Sequence, residues 1–215
     1  MLRELTRQRE YKENSVRLGR LHLGAFDCAV EGWINTDITP HIWIARTPLA
    51  ARALYTLGKM SEERYAAHRD GRFQRLHYVD LTKPLPFPDN SFEAVYSSHV
   101  FEHLFMDEVE RLVPEIKRVL APGGVCRTLV PDMGKIVQNF DPEKPGPFIT
   151  DIFEIGVRSA VKNAHHCGFT HASISQLFRS AGFPETRICA YRQGNCPDIE
   201  QLDNRPDSIF FEAKK

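Results

Sequence analysis

Residues 21–38, LHLGAFDCAVEGWINTDI, contain two short apolar runs that lie on either side of a turn. The first run ends at Leu23 and is followed at once by Gly24, a residue that favours a turn. The second run covers residues 33–38 and has Asp37 near its end. Apolar runs of this length, bounded by Gly and Asp, predict two buried parallel strands with polar groups at their ends.

The same pattern recurs along the rest of the chain. Segments with helical spacing lie between the strand-length runs, and this alternation indicates an α/β protein with a doubly wound sheet. Two further β-rich stretches near the end of the chain bring the predicted strands to seven. The predicted strands are residues 16–23, 33–38, 76–79, 93–97, 125–130, 187–191 and 208–213.

Capping residues and helix breakers predict where four helices begin and end. Ser, Thr and Asp are favoured at helix starts, and Gly or Pro ends helices. The predicted starts are Thr47 with Pro48, Ser61, the capping box Asp107 to Glu110 and the capping box Ser173 to Gln176; the predicted ends are Gly58, Pro122 and Gly182. The proline-rich residues 141–147 are predicted to form a loop.

The composition fits one globular domain over residues 1–215. The chain has 42% hydrophobic residues, and 28 Lys plus Arg balance 28 Asp plus Glu, so no net charge attracts nucleic acid. No apolar run approaches the roughly 20 residues of a membrane span, and residues 1–14 are charged and lack the apolar core expected of a secretory signal. Five cysteines without a C-x-x-C pair are expected to be reduced, and a cytoplasmic location is predicted.

In open α/β sheets, ligands bind beyond the carboxyl ends of the strands. The residues predicted there are Gly24, Asp37, Asp80 and Ser97. Asp37 lies 13 residues after Gly24 and can accept hydrogen bonds from both hydroxyls of a ribose. A nicotinamide dinucleotide is disfavoured because the turn has one glycine, with Phe26 at the position of the second.

Several ordered segments resemble class I S-adenosylmethionine-dependent methyltransferases of the type 11 branch. These segments are residues 21–38, YVDLTKPLPFPDNSFEAVYSSHVFEHL (78–104), EIKRVLAPGGVCRTLVPD (115–132), LFRSAGF (177–183) and LDNRPDSIFFEAKK (202–215). The resemblance implies a Rossmann-like, seven-stranded sheet, mostly parallel, with one antiparallel strand near the C-terminus. It also implies a helical insertion at about residues 39–75 and a cover over the substrate side at about 140–172.

The resemblance also implies S-adenosylmethionine as cofactor and assigns residues to it. The methionine part would contact Gly24, Ala25 and Phe26, and the ribose would contact Asp37 and Ile38. The adenine would contact Asp80 and Leu81, and the far side of the cofactor would contact Ser97, Ser98 and His99. The implied reaction is methyl transfer to an oxygen or nitrogen of a small or carrier-linked acceptor, with His103 and His165 as candidate bases.

Alternative interpretations stay open on the sequence alone. Because Phe26 replaces a glycine of the family, the chain could be a catalytically degenerate, methyltransferase-like binding module. The run His99 to His103 also matches H-x-x-E-H, a zinc-hydrolase signature. No third ligand is obvious for it, and His165-His166-Cys167 has poor metal spacing, so no metal site is predicted. A homodimer is a possible partner state; no nucleic-acid or membrane partner is predicted.

Overall fold

The computed structural model describes residues 19–154 and 164–215. Within these residues the chain forms one seven-stranded sheet with the order β3-β2-β1-β4-β5-β7-β6. The strands are β1 Gly19–Leu23, β2 Ile34–Asp37, β3 Leu76–Tyr78, β4 Phe92–Ser98, β5 Leu120–Pro131, β6 Glu185–Cys189 and β7 Ser208–Lys214. Residues 16–18 of the first predicted strand lie outside the described residues.

The register confirms the predicted sheet. Leu23 pairs with Thr36 of β2 and with Ser97 of β4, both in parallel. Only β7 runs against its neighbours, because it pairs antiparallel with both β5 and β6. The sheet is therefore mostly parallel with one antiparallel strand at the C-terminus, as predicted for an α/β Rossmann-like fold.

The described helices occupy the crossovers between strands. They are α1 His41–Arg46, α2 Ala50–Thr56, α3 Glu62–Arg69, α4 Met106–Val119, α5 Met133–Gln138, α6 Pro145–Phe153, α7 His171–Ser180 and α8 Ile199–Leu202, with 3₁₀ turns at Arg72–Arg75 and Phe101–His103. Helices α1 to α3 lie in the predicted insertion at 39–75. The link between β1 and β2 contains no helix, which is unusual for parallel neighbours.

Several predicted helix starts differ from the structure. The helix predicted from Thr47 begins at Ala50, because Thr47 instead ends α1, which the sequence analysis missed. Ser61 caps α3 as predicted, since its Oγ accepts a hydrogen bond from the Arg64 amide at 3.3 Å. The predicted loop at 141–147 was also wrong in part, because α6 begins at Pro145, a residue suited to the first turn of a helix.

The two predicted capping boxes were displaced along the chain. Helix α4 begins after Phe105, whose amide donates to Glu108 Oε2 at 2.9 Å, so the Asp107 box was wrong by two residues. Helix α7 begins after Thr170, and Thr170 Oγ1 accepts from the Ser173 amide at 3.2 Å. In both cases tertiary packing fixes which of several possible caps is used.

The sheet separates two layers of core residues. On one face, β4 and β5 pack against buried side chains of α4 and α7, among them Val113, Ile116 and Phe178. On the other face, Trp33, Tyr96 and Phe210 pack near Leu202 of α8. From β1 the chain adds β2 and β3 on one side of the sheet and then β4 and β5 on the other, so the order of strands reverses beside β1. Open α/β sheets bind ligands at such a switch point.

Among the described residues, no helix combines the length and the apolar character that crossing a membrane requires.

Candidate functional site

The turn after β1 is held by close packing at the switch point. Gly24 has a φ of +65°, a left-handed conformation that favours glycine. A Cβ at this position would lie 2.3 Å from Val100 Cγ2, so the backbone of Gly24 lies directly against the Val100 side chain. The glycine therefore permits contact between the β1 turn and the residues after β4.

The two residues that follow Gly24 face the insertion. Ala25 is buried with Ile42, Ala67 and Phe73, and its amide donates to the Thr36 carbonyl at 2.9 Å. The Phe26 ring packs edge-on to Phe73 at 5.8 Å between ring centroids. Helices α1 and α3 and the 3₁₀ turn at Arg72–Arg75 thus hold the apolar side of this turn.

Phe26 has a φ of +43°, and its ring is covered by a charged residue. The guanidinium carbon of Arg64 lies 4.3 Å from the Phe26 ring centroid, and Arg64 also pairs with Asp27 at 3.0 Å. A cation over an aromatic face is favourable. The Phe26 ring therefore packs against the insertion, while the Phe26 backbone amide faces Asp37.

Asp37 is a half-buried carboxylate at the end of β2. Its Oδ2 accepts from the Phe26 amide at 3.1 Å, and its Oδ1 accepts from the Thr39 amide at 2.7 Å. Burial raises the pKa of Asp37 above its ordinary value, and the amide hydrogen bonds of Thr39 and Phe26 oppose part of that rise. Each oxygen keeps a second acceptor direction for a ligand hydroxyl.

An apolar surface adjoins this carboxylate. Ile38 is 62% exposed, and Tyr78, which pairs with Asp37 across β2 and β3, is 44% exposed. The rings of Trp43 and Tyr78 lie 6.1 Å apart, and the Arg46 guanidinium lies over Trp43. Trp43 belongs to an apolar face of the predicted insertion for which packing was the favoured role, and the sequence signal for Tyr78 was its place at a strand end.

Asp80 and Leu81 follow β3 at the same edge. Asp80 Oδ1 accepts from the Thr82 amide and hydroxyl, and Oδ2 lies 2.9 Å from Lys83 Nζ. These hydrogen bonds to Lys83 and Thr82 lower the pKa of Asp80. Leu81 is half-buried against the core. Asp80 therefore stabilises its own turn, and a ligand would have to compete with Lys83 for its second oxygen.

Ser97, Ser98 and His99 end β4. The Ser97 hydroxyl is buried and lies 3.2 Å from Thr128 Oγ1, so it has no access to a ligand at the sheet edge. Ser98 is half-buried as the last residue of the strand. His99 has a φ of +53° and directs Nδ1 toward Glu102 Oε1 at 3.0 Å and Nε2 toward Ser208 Oγ at 2.8 Å.

His103 and His165, the two predicted bases, lie together although 62 positions separate them. Their ring centroids are 5.1 Å apart, in an edge-to-face arrangement. The carboxylate of Glu102, which is 1% exposed, completes a group whose ligand atoms lie within 4.8 Å of one another. The backbone amides of His166 and Cys167 donate hydrogen bonds to the Glu102 carbonyl, which holds residues 164–167 against the 3₁₀ turn. His99 does not join this group, so the H-x-x-E-H ligand set does not form as the motif would require.

The edge of β1, β2 and β3 combines a carboxylate with exposed apolar surface, which are the kinds of group that can hold an adenosine-containing cofactor. Asp37 offers carboxylate oxygens to a ribose, and Ile38 and Tyr78 offer exposed apolar surface beside it. Phe26, the one departure from the family pattern, turns its ring toward Phe73 and Arg64 and contributes a backbone amide.

Comparisons with known proteins place this chain beside methyltransferases. Residues 49–128 match a family model described as a methyltransferase domain. An 80-residue segment is 39% identical to sterol 24-C-methyltransferase ERG6B of Gibberella zeae, covering 36% of this chain and 20% of that protein. A 125-residue segment is 29% identical to the ubiquinone/menaquinone biosynthesis C-methyltransferase UbiE of Desulfotalea psychrophila, covering 51% of this chain and 47% of that protein.

A solved structure shows the same fold over the whole chain. The S-adenosylmethionine-dependent methyltransferase of Archaeoglobus fulgidus superposes with a TM-score of 0.51 at 15% identity, covering 100% of this chain and 93% of that one. The chain therefore has the class I methyltransferase fold. Together with the domain match over residues 49–128, this confirms the resemblance to class I methyltransferases predicted from the sequence. The chain spans about a fifth to a half of the length of the curated relatives it matches.

Proposed function

We propose that this chain binds S-adenosylmethionine at the carboxyl edge of β1, β2 and β3 and transfers its methyl group to an oxygen or nitrogen of a small or carrier-linked acceptor. The observation that supports this most directly is the position of Asp37. Its half-buried carboxylate ends the strand next to the Gly24 turn, and exposed Ile38 follows it. A ribose held there would place the adenine over Ile38 and Tyr78.

The chemistry requires alignment more than activation. The cofactor supplies an electrophilic methyl group on a cationic sulfur, so the protein must hold the acceptor in line with the methyl carbon and exclude water. The Gly24 turn and the Val100 contact fix the β1 and β4 ends relative to each other, which is a rigid base for such alignment.

The acceptor side adjoins the turn at Phe101–His103. His103 and His165 were predicted as bases, and imidazole nitrogens can take the proton of an O–H or N–H acceptor. This supports an oxygen or nitrogen acceptor. Both curated relatives are named C-methyltransferases, so a carbon acceptor is the alternative that product analysis would reveal.

Calorimetry with S-adenosylhomocysteine tests cofactor binding. We expect one equivalent to bind and Asp37→Asn to weaken it by about tenfold or more, because a charge-assisted hydrogen bond contributes about 1.5–3 kcal/mol. Asp70→Asn is the matched control, since Asp70 is exposed and pairs only at the surface with Arg72. Wild-type protein that binds no S-adenosylhomocysteine at millimolar concentration would contradict the proposal.

Turnover then separates an enzyme from a degenerate binding module. Labelled methyl groups should move from S-adenosylmethionine to hydroxyl or amine acceptors in a mixed metabolite extract. Binding without transfer to any acceptor would favour the degenerate module. The cytoplasmic location and the homodimer stay predictions, and sedimentation velocity measures the second.

A further inference from the structure

We propose that Glu102, His103 and His165 bind one divalent transition-metal ion, with Zn²⁺ as the best match to their ligand atoms. This site goes beyond the proposed methyl transfer and does not require cofactor binding, but it replaces the base role proposed for His103 and His165. The sequence offered no obvious third ligand, and the fold supplies one by placing the 164–167 segment against the turn at Phe101–His103.

The first observation is the burial of the Glu102 carboxylate. The side chain is 1% exposed, and neither Oε1 nor Oε2 accepts a hydrogen bond of good geometry. The nearest cationic candidate is His99, whose Nδ1 lies 3.0 Å from Oε1 outside hydrogen-bond geometry. A buried carboxylate is costly without compensation, and a metal ion is one of the few partners that can supply it.

The second observation is the orientation of the two imidazoles. His165 Nδ1 lies 3.0 Å from the Ile152 carbonyl and donates to it, which leaves the Nε2 lone pair available. Histidines that bind metals commonly donate their other ring N–H to a backbone carbonyl in this way. His165 Nε2 and His103 Nδ1 are both buried atoms without a hydrogen bond of good geometry. Glu154 Oε2 lies 3.1 Å from His165 Nε2, on the exposed side of the cluster.

The three ligand atoms are close enough to converge. They lie within 4.8 Å of one another, and bonds of about 2.0–2.2 Å to one Zn²⁺ would place them roughly 3.3 Å apart. Small side-chain rotations close that difference. Two imidazole nitrogens and one carboxylate oxygen form a set that suits zinc and leaves a position for water or another small ligand.

His99 supports the set from outside. His99 Nδ1 lies 3.0 Å from Glu102 Oε1, and with the ring proton on Nδ1 the Nε2 atom accepts from the Ser208 hydroxyl at 2.8 Å. His99 is thus a positioning residue for the carboxylate. Coordination also changes the role predicted for His103 and His165, because a metal-bound ring nitrogen has no lone pair left to act as a base.

Co²⁺ binding tests the site, because cobalt replaces zinc and its visible absorption reports the ligand geometry. Protein stripped with a chelator should bind about one equivalent of Co²⁺, and Zn²⁺ should displace it. We expect Glu102→Gln and His165→Gln each to weaken binding at least about 100-fold, and His99→Gln about tenfold. His166→Gln is the matched control, because His166 neighbours His165 in sequence but stacks on Phe105 at 4.3 Å, and it should change binding less than threefold.

Three results would overturn the site: no Co²⁺ spectrum in the wild-type protein, unchanged binding in both the Glu102 and His165 variants, or equal loss in the His166 control. Circular dichroism checks that each variant folds, and His165→Gln, at the cluster's loop side, remains informative if Glu102→Gln unfolds. Calorimetry with S-adenosylhomocysteine on the same metal-free samples separates the proposals. Cofactor binding without metal binding contradicts only the metal site, and the reverse contradicts only the cofactor site.

Discussion

Gly24 and Val100 meet at the switch point of the sheet, where a Cβ on Gly24 would lie 2.3 Å from Val100 Cγ2. The glycine after β1 is therefore required by packing between the ends of β1 and β4, whatever ligand binds nearby. The Phe26 amide, two residues later, reaches Asp37 from the resulting turn. Backbone contacts thus connect three strand ends at the proposed cofactor edge.

Gly24→Ala should lower the free energy of unfolding by about 3 kcal/mol. A left-handed φ costs a non-glycine residue about 1–2 kcal/mol, and overpacking adds about 1–3 kcal/mol. Gly58→Ala is the control, since Gly58 has the same φ of +65° but no atom within 4 Å of the added Cβ. It should lose only about 1 kcal/mol in urea unfolding. In the Gly24→Ala background, Val100→Ala should restore about 1 kcal/mol or more of the free energy of unfolding, because it removes the methyl group that the added Cβ meets. If the effects of the two substitutions simply add, the contact is contradicted.

Phe26→Gly should destabilise the protein without improving cofactor binding. The substitution relieves the left-handed φ, worth about 1 kcal/mol, but loses the ring contacts with Phe73 and Arg64, worth about 2–3 kcal/mol. The affinity for S-adenosylhomocysteine, measured by calorimetry, should change less than threefold, since the contact to Asp37 is made by the backbone. Phe26→Asn, which tolerates this conformation, serves as the control. A tenfold gain in affinity in either variant would mean that the ring excludes the cofactor.

His22 should make stability depend on pH below neutrality. Burial lowers the pKa of His22 from 6.5 to about 4, and its hydrogen bond to Asn35 opposes part of that shift. The unfolded chain then binds a proton near pH 6.5 that the folded protein takes up only near pH 4. The free energy of unfolding therefore loses nothing from His22 above pH 6.5, and it falls by roughly 3 kcal/mol as the pH drops from 6.5 toward 4.

His22→Phe removes this contribution. Phe can keep the contacts with Trp33 and Tyr96, and Asn35 Oδ1 keeps its bond from the Val30 amide at 2.9 Å. Urea unfolding between pH 4 and 7 should therefore show a flatter profile in this variant than in the wild type. His171→Phe, at an exposed side chain, should leave the profile unchanged. Parallel profiles for the wild type and His22→Phe would contradict the assignment.

Arg127→Met should be strongly destabilising. The Arg127 guanidinium is fully buried on β5. Its Nε lies 2.9 Å from Asp203 Oδ1, and its Nη1 lies 3.1 Å from Glu212 Oε1. Removing it leaves the buried Asp203 carboxylate without its cation, while Glu212 keeps its pair with Arg187, and the loss costs about 3–5 kcal/mol. Arg111→Met removes an exposed pair with Asp107 and should cost less than about 0.5 kcal/mol. Equal effects in urea unfolding would contradict the buried network.

The strands were easier to predict than the helix ends. Seven apolar runs predicted seven strands; for the parallel strands β1 to β5 the reason is that strands covered on both faces are mostly continuous apolar runs. The helix starts were displaced, as at Asp107, because several residues near a helix end can serve as its cap and packing chooses among them. The sequence did not predict that Trp43 and Tyr78 form an exposed aromatic pair, since exposure depends on what the rest of the chain leaves uncovered.

The sequence by itself determined the α/β fold, the order of its segments and the residues at the strand ends, because these follow from local apolar periodicity and turn residues. Only the tertiary structure decided what those residues contact. It directed the Phe26 ring toward Phe73, buried Ser97 and brought His165 to His103 across 62 positions of sequence. Such contacts form between residues far apart in sequence, and they depend on how whole segments pack, which a local sequence pattern does not determine.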